Sequence, residues 1–201
     1  MSFAGSDPRL LSKGGYWDPK IGAPAHTVLP GDHLVIDEPG VAVTTLLGSC
    51  VAACLRDREM GLGGLNHFLL PGTARGQQSM RYGVHAMEVL INDILKRGGR
   101  KSRIEAKVFG GGNVIAVSGG DTVGDRNARF VQDFLKSEGI RVEASDLGGD
   151  HARRVYYFPD TGRASVLKLM GRETGDLRSS EQRLRSQVES KPTTGTVELF
   201  G

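Results

Sequence analysis

Apolar and β-branched residues fall into short runs along most of this chain and take up helical spacing twice. His33 to Ile36, Val41 to Leu47, Val51 to Leu55 and Leu62 to Leu70 have strand character, separated by Pro39-Gly40 and by the glycines from Gly61 to Gly64. Val84, Met87, Ile91, Ile94 and Leu95 recur at a period of about 3.6, which predicts a helix over Tyr82 to Arg97 that Gly98-Gly99 stops. Ile104 to Phe109 predicts a strand running into Gly110-Gly111-Gly112-Asn113. A second helix is predicted over Arg126 to Glu138, with Phe130, Val131, Phe134 and Leu135 on its buried face and Gly139 past its end. Ile140 to Ala144, Arg153 to Phe158 and Ala164 to Leu169 predict further strands. Pro159-Asp160-Thr161-Gly162 makes a hairpin of the last two. About eight strands with two helices imply an α+β layered sandwich of mixed or antiparallel strands with two main helices packed on it.

The ends lack this patterning. Residues 1–26 are rich in Gly, Pro, Ser and Asp and are expected to form a loose N-terminal arm. Residues 171–201 are polar, with a short helix conceivable over Asp176 to Val188, and bury too little surface to offset the entropy of ordering. The folded domain is thereby placed at residues 27–170.

Bulk properties narrow the function classes. A chain of 201 residues is one domain with tails, and 38% hydrophobic with 24% charged residues describes a soluble globular protein. A net charge of +3 with no basic cluster interleaved with aromatics argues against nucleic acid as partner. No apolar stretch approaches the roughly 18 residues that span a bilayer, so membrane insertion is not expected. Two cysteines, without a secretory leader, point to a reducing cytoplasm. Glycine is abundant, at 29 residues without a Gly-X-Y period, and reads as tight turns and close backbone approaches.

The candidate chemistry lies around Cys50. In Thr44-Thr45-Leu46-Leu47-Gly48-Ser49-Cys50-Val51 a Gly-Ser pair interrupts an apolar run just before a thiol, placing it on irregular and approachable backbone. Amide N–H groups at such a bend, around Gly48 and Ser49, can receive an oxyanion. His67, on the next apolar strand, is the natural base, and a thiol with an imidazole can exchange charge as thiolate and imidazolium. Thr44 shares strand parity with Cys50 and can accept the imidazole N–H as an uncharged orienter. Cys54 continues the apolar run and reads as core; at strand spacing it lies roughly 13 Å from Cys50, too far for a disulfide. The Gly110-Gly111-Gly112-Asn113 loop lacks the Lys-[Ser/Thr] of a phosphate loop and reads as a turn or a backbone shelf for an approaching protein segment.

Together these residues resemble CheD, the chemoreceptor glutamine deamidase family of bacterial chemotaxis. The resemblance spans about residues 27 to 170. It is carried by Thr44 through Asp57, Asn66-His67-Phe68-Leu69-Leu70-Pro71 and Lys107-Val108-Phe109-Gly110-Gly111-Gly112, then by Gly124-Asp125-Arg126-Asn127, Asp146-Leu147-Gly148-Gly149 and the Thr161-Gly162 hairpin. It implies hydrolysis of receptor glutamine side chains to glutamate with release of ammonia, and it implies Cys50, His67 and Thr44 as catalytic residues. It further implies a fold similar to bacterial toxin cysteine deamidases. The implied partners are the cytoplasmic helices of chemotaxis receptors and a CheC-type phosphatase of the response regulator. The chemistry calls for no metal or organic cofactor. Three alternatives stay open on the sequence: a non-catalytic adaptor for receptors or a CheC-type protein, a metal module using Cys50, Cys54 and His67, and a hydrolase of another protein amide or a methyl ester.

Overall fold

Two five-stranded sheets and a pair of helices stack in three layers in the computed structural model, which describes residues 14–70, 76–114, 121–169, and 182, 183 and 186. In chain order the elements are β1 (Tyr16–Asp18), β2 (Ala23–Thr27), β3 (His33–Ile36), β4 (Ala42–Leu47), β5 (Val51–Asp57) and β6 (Leu62–Asn66). Helix α1 (Gly76–Lys96) and a 3-10 turn (Lys101–Arg103) lead into β7 (Ile104–Gly110). Helix α2 (Val123–Ser137), β8 (Arg141–Leu147), β9 (Ala152–Phe158) and β10 (Arg163–Leu169) complete the fold. The first sheet runs β1-β2-β4-β9-β10 and the second β3-β6-β5-β7-β8. Pairing is antiparallel except for β2 with β4 and β7 with β8. The α+β layering expected from the sequence is therefore present, with mixed sheets.

Strand alternation explains the two cores. Successive side chains of β5 point to opposite faces. Ala52 and Cys54 meet Val43, Leu47, Val155 and Tyr157 of the first sheet. Val51, Ala53 and Leu55 meet Met87, Leu90 and Ile94 of α1 and Val131 and Leu135 of α2. Both helices end in the same way. Gly98 and Gly139 take positive φ, of 96° and 68°. Gly99 N–H donates to Ile94 C=O at 3.0 Å and Ile140 N–H to Leu135 C=O at 2.9 Å, closing the last turn. Helix α2 starts with a capping box between Thr122 and Asp125. No helix among the described residues is long and apolar enough to cross a membrane.

One expectation fails at the N-terminus. Part of the segment read as a loose arm forms β1 and β2, the latter lying parallel to β4. Ala-Pro-Ala-His-Thr carries no apolar alternation, so nothing in its pattern announces a strand. What holds it is tertiary: Ala25 packs with Ala42 and Phe158, and Tyr156 donates to the buried Asp18 carboxylate at 2.8 Å. The folded unit thus begins by Tyr16 and not at residue 27. Residues 1–13, and all but three residues of the 171–201 tail, lie outside the described part; Gln182, Arg183 and Ser186 are helical.

Candidate active site

Cys50 and His67 share one face of the second sheet. Val51 and Phe68 form a bridge in which each N–H donates to the other's C=O at 3.0 Å. Alternation then turns Cys50, Ala52, His67 and Leu69 away from the helices and toward the first sheet. Cys50 and His67 are diagonal neighbours in this register, a relation of about 7–8 Å between backbones that side chains can span. Cys50 is fully buried, on the irregular backbone that Gly48-Ser49 predicts between the two sheets.

Backbone hydrogen bonds clamp His67 on both sides. His67 N–H donates to Asp32 C=O at 2.9 Å, and Gly31 N–H donates to His67 C=O at 2.8 Å. The ring is oriented from the other sheet. Thr45 Oγ1 lies 2.8 Å from His67 Nδ1, and the same hydroxyl donates to Val28 C=O at 2.8 Å. A hydroxyl has one proton, and here Val28 takes it. The Nδ1 contact must therefore be an imidazole N–H donating to Thr45, which leaves the lone pair on Nε2. His67 Nε2 is buried and has no hydrogen-bond partner among the described residues. A buried imidazole nitrogen left unpaired is rare, because the polar atom loses water without replacement.

Thr44 makes a different contact from the one its parity suggests. Its hydroxyl donates to Val155 C=O at 2.7 Å. The parity argument fails because the chain leaves the first sheet at Leu47 and enters the second at Val51, and the intervening Gly48-Ser49-Cys50 resets the alternation. On β4, Val43, Thr45 and Leu47 face the second sheet. Thr44, at the opposite parity, does not.

Burial pushes the His67 imidazole from 6.5 down to about 4, with the Val28 carbonyl acting weakly the other way. The ring is thus neutral at pH 7 and suited to accept a proton, rather than half of a standing ion pair. A stability consequence follows. An unfolded imidazole takes up a proton as pH falls through 6.5, while the folded one stays neutral to about 4. This group's contribution is full above 6.5 and is lost as pH falls toward 4. The loss is about 2 kcal/mol by pH 5 and about 3 kcal/mol in all. Urea unfolding at pH 7 and pH 5 should show that loss in the wild type and little of it in His67→Gln.

Three successive carbonyls before and at the thiol are each held. Gly112 N–H donates to Gly48 C=O at 2.7 Å and Gly111 N–H to Cys50 C=O at 2.7 Å. Asn127 Nδ2 of α2 donates to Ser49 C=O at 3.1 Å. In a trans peptide the N–H points opposite to the C=O, so fixing these carbonyls also fixes the Ser49 and Cys50 N–H directions. The glycine loop is therefore a cradle for the Gly48-Ser49-Cys50 segment and not a surface shelf. It cannot carry side chains: a Cβ on Gly110, at φ 109°, would sit 2.2 Å from Cys50 C=O. Gly110→Ala should cost about 3 kcal/mol or more in chemical denaturation.

Other charges near the site are few. Tyr82 on α1 has its hydroxyl pKa raised by burial first and then by electrostatic interaction with Cys50 and Asp32. Cys54 faces Leu65 and Lys107 across the sheet, and burial pushes its thiol far up, which makes it inert core. Among the described residues no group of three or more His, Cys, Asp or Glu side chains converges to hold a metal. An open cavity of about 400 Å³ is lined in part by Val28, the exposed Leu29, and Gly31 and Asp32, whose backbones hold that of His67.

Comparison with known proteins gives the family. A family model described as CheD chemotactic sensory transduction matches residues 69–168. A Thiobacillus denitrificans protein named probable chemoreceptor glutamine deamidase CheD is 48% identical over 190 residues, covering 92% of this chain and 94% of that one. A Dechloromonas aromatica relative, probable chemoreceptor glutamine deamidase CheD 1, is 48% identical over 193 residues, covering 94% and 96%. The chain belongs to the CheD family. Among solved structures, a Neisseria meningitidis protein of the DUF152 family matches 76% of this CheD chain and 77% of its own, at 15% identity and a TM-score of 0.42. Bacillus licheniformis YfiH matches 58% and 51%, at 19% identity and a TM-score of 0.41. Reading the CheD sequence alone missed Thr45, Asn127 and the Val28 to Asp32 clamp. Asn127 did leave a trace, as a polar residue on the stripe of Phe130, Val131 and Phe134.

Proposed function

We propose that this CheD-family chain is a protein-glutamine glutaminase that converts glutamine side chains of chemotaxis receptors to glutamate, with Cys50 as nucleophile and His67 as base. The single observation that carries the reading is the unpaired, lone-pair-bearing Nε2 of His67 on the face it shares with Cys50. Relatives that match nearly the whole chain are named probable chemoreceptor glutamine deamidases, which supports the receptor as substrate.

The steps balance without a cofactor. His67 Nε2 takes the Cys50 proton as Sγ attacks the glutamine amide carbon. The oxyanion is received by the Ser49 and Cys50 N–H groups, with Gly48 shaping the turn. His67 then returns the proton to the nitrogen as the C–N bond breaks, and ammonia leaves a thioester on Cys50. Water, deprotonated by Nε2, attacks the thioester; the C–S bond breaks and the thiol regains its proton. Throughout, Thr45 holds the Nδ1–H, in the place where the family resemblance put Thr44. Because the thiol is buried, the glutamine side chain must reach it from an open surface. No feature among the described residues identifies a CheC-type partner, so the proposal is confined to the receptor.

An ammonia-release assay on a receptor cytoplasmic fragment tests the reading. Ammonia should appear in proportion to the glutamines offered and stop when those glutamines are replaced by glutamate. Equal ammonia from the replaced fragment, or none from the wild-type fragment, would contradict it.

A further inference from the structure

We infer that Asn127 is a positioning residue that locks the peptide carrying the Cys50 N–H and couples it to the strand of the base. This deepens the deamidase reading and rests on it. Asn127 is completely buried on α2, between the nucleophile segment and the chain that follows His67. Its Oδ1 accepts from Leu70 N–H at 2.8 Å. Its Nδ2 donates to Ser49 C=O at 3.1 Å and to Val123 C=O at 2.9 Å. Both amide protons are used, and the orientation is fixed. A flipped amide would face two carbonyls with oxygen and an N–H with NH₂.

The significance lies in which carbonyl Asn127 holds. The flanking carbonyls of Gly48 and Cys50 are held by backbone N–H groups of the glycine loop. The middle one, Ser49, is held by a side chain, and its peptide unit contains the Cys50 N–H. Rotating that plane would leave the thiol in place and swing an oxyanion donor away. The Leu70 contact ties the same amide to the residue three after His67, so nucleophile turn and base strand share one anchor. Helix α2 is seated by close approach: a Cβ on Gly124 would lie 2.4 Å from Gly111 C=O.

Asn127→Asp is the sharpest test. It keeps the shape and the acceptor for Leu70, but replaces the donor with an oxygen facing two carbonyls. Asn127→Ser serves as the second variant if the first fails to fold. The expected kcat falls by about 10²-fold, as for a lost oxyanion donor, with KM little changed. The discriminating readout is alkylation of Cys50 by iodoacetamide, a displacement that forms no oxyanion. Its rate should stay near the wild-type value while kcat falls. A merely structural role would lower both together, or neither. A third readout does not depend on the receptor. Acetyl-glutaminal adds to the thiol as a hemithioacetal, with the S–C bond forming, the proton passing to oxygen and nothing leaving. Its affinity should drop by about 10²-fold in the variants. Wild type that binds the aldehyde but leaves receptor glutamines unchanged would count against the substrate reading alone. Unchanged kcat and aldehyde affinity in folded Asn127 variants would overturn the role of Asn127.

Discussion

Cys50→Ala is expected to remove deamidation altogether while leaving the fold in place. Removing the nucleophile of a working catalytic group costs about 10⁶-fold in kcat, which puts turnover below detection. The side chain removed is one sulfur, packed between the sheets with Leu47, Ala52 and Leu69. Its loss opens a void of roughly atomic size and costs about 1 kcal/mol, too little to unfold the domain. Cys54→Ala is the matched control. It removes the same atom from the same core, four residues further along the chain, and should cost similar stability. Its thiol is held protonated by burial, opposite Leu65 and Lys107, so most activity should survive. Turnover on a receptor fragment with melting temperatures for both variants checks the pair. Activity in Cys50→Ala, or its loss in folded Cys54→Ala, would remove Cys50 from the mechanism.

Thr45→Val should reduce kcat by about 10²- to 10³-fold, whereas Thr44→Val should act on stability and barely on rate. Valine is nearly isosteric with threonine but offers no acceptor for the His67 Nδ1–H. The ring is then free to carry its proton on Nε2, the wrong nitrogen to receive one from a thiol, and tautomer loss is costly in triads. The effect should be smaller than with a carboxylate orienter, because the Thr45 oxygen is neutral. Thr45→Ser keeps the oxygen and should recover most of the rate. Thr44→Val loses one buried hydrogen bond, to Val155 C=O, worth about 1–2 kcal/mol with the orphaned carbonyl included. Steady-state kinetics and urea titration of the three variants separate rate from stability. A slow Thr44→Val beside a normal Thr45→Val would restore Thr44 as the orienter.

These two threonines show where the sequence is legible. Strands and helices with strong periodicity form where the pattern puts them: Phe130, Val131, Phe134 and Leu135 predict α2, and the helix buries all four, with Gly124 and Asn127 beside them. Cys50 and His67 could be paired because each lies in an apolar run, and neighbouring runs tend to pair. Thr44 could not be separated from Thr45, because period-two parity holds only while the chain stays in one sheet. Between Leu47 and Val51 it changes sheets. Strands β1 and β2 escaped notice because Ala25 and Asp18 are stabilised by partners more than 15 residues away, Ala42, Phe158 and Tyr156. The glycine loop was visible as a motif, but its task was not. That task depends on Gly111 and Gly112 reaching Cys50 and Gly48 from a strand some 60 residues later in the chain.

Peptide mass mapping of a receptor cytoplasmic fragment, after incubation with wild type and with Cys50→Ala, tests the central claim most directly. A gain of about 1 Da at defined glutamines with the wild type alone, the replacement of NH by O, is the result predicted for a Cys50-dependent deamidase. An unchanged map from wild type on a fragment that it demonstrably binds, or the same gain from Cys50→Ala, would contradict it.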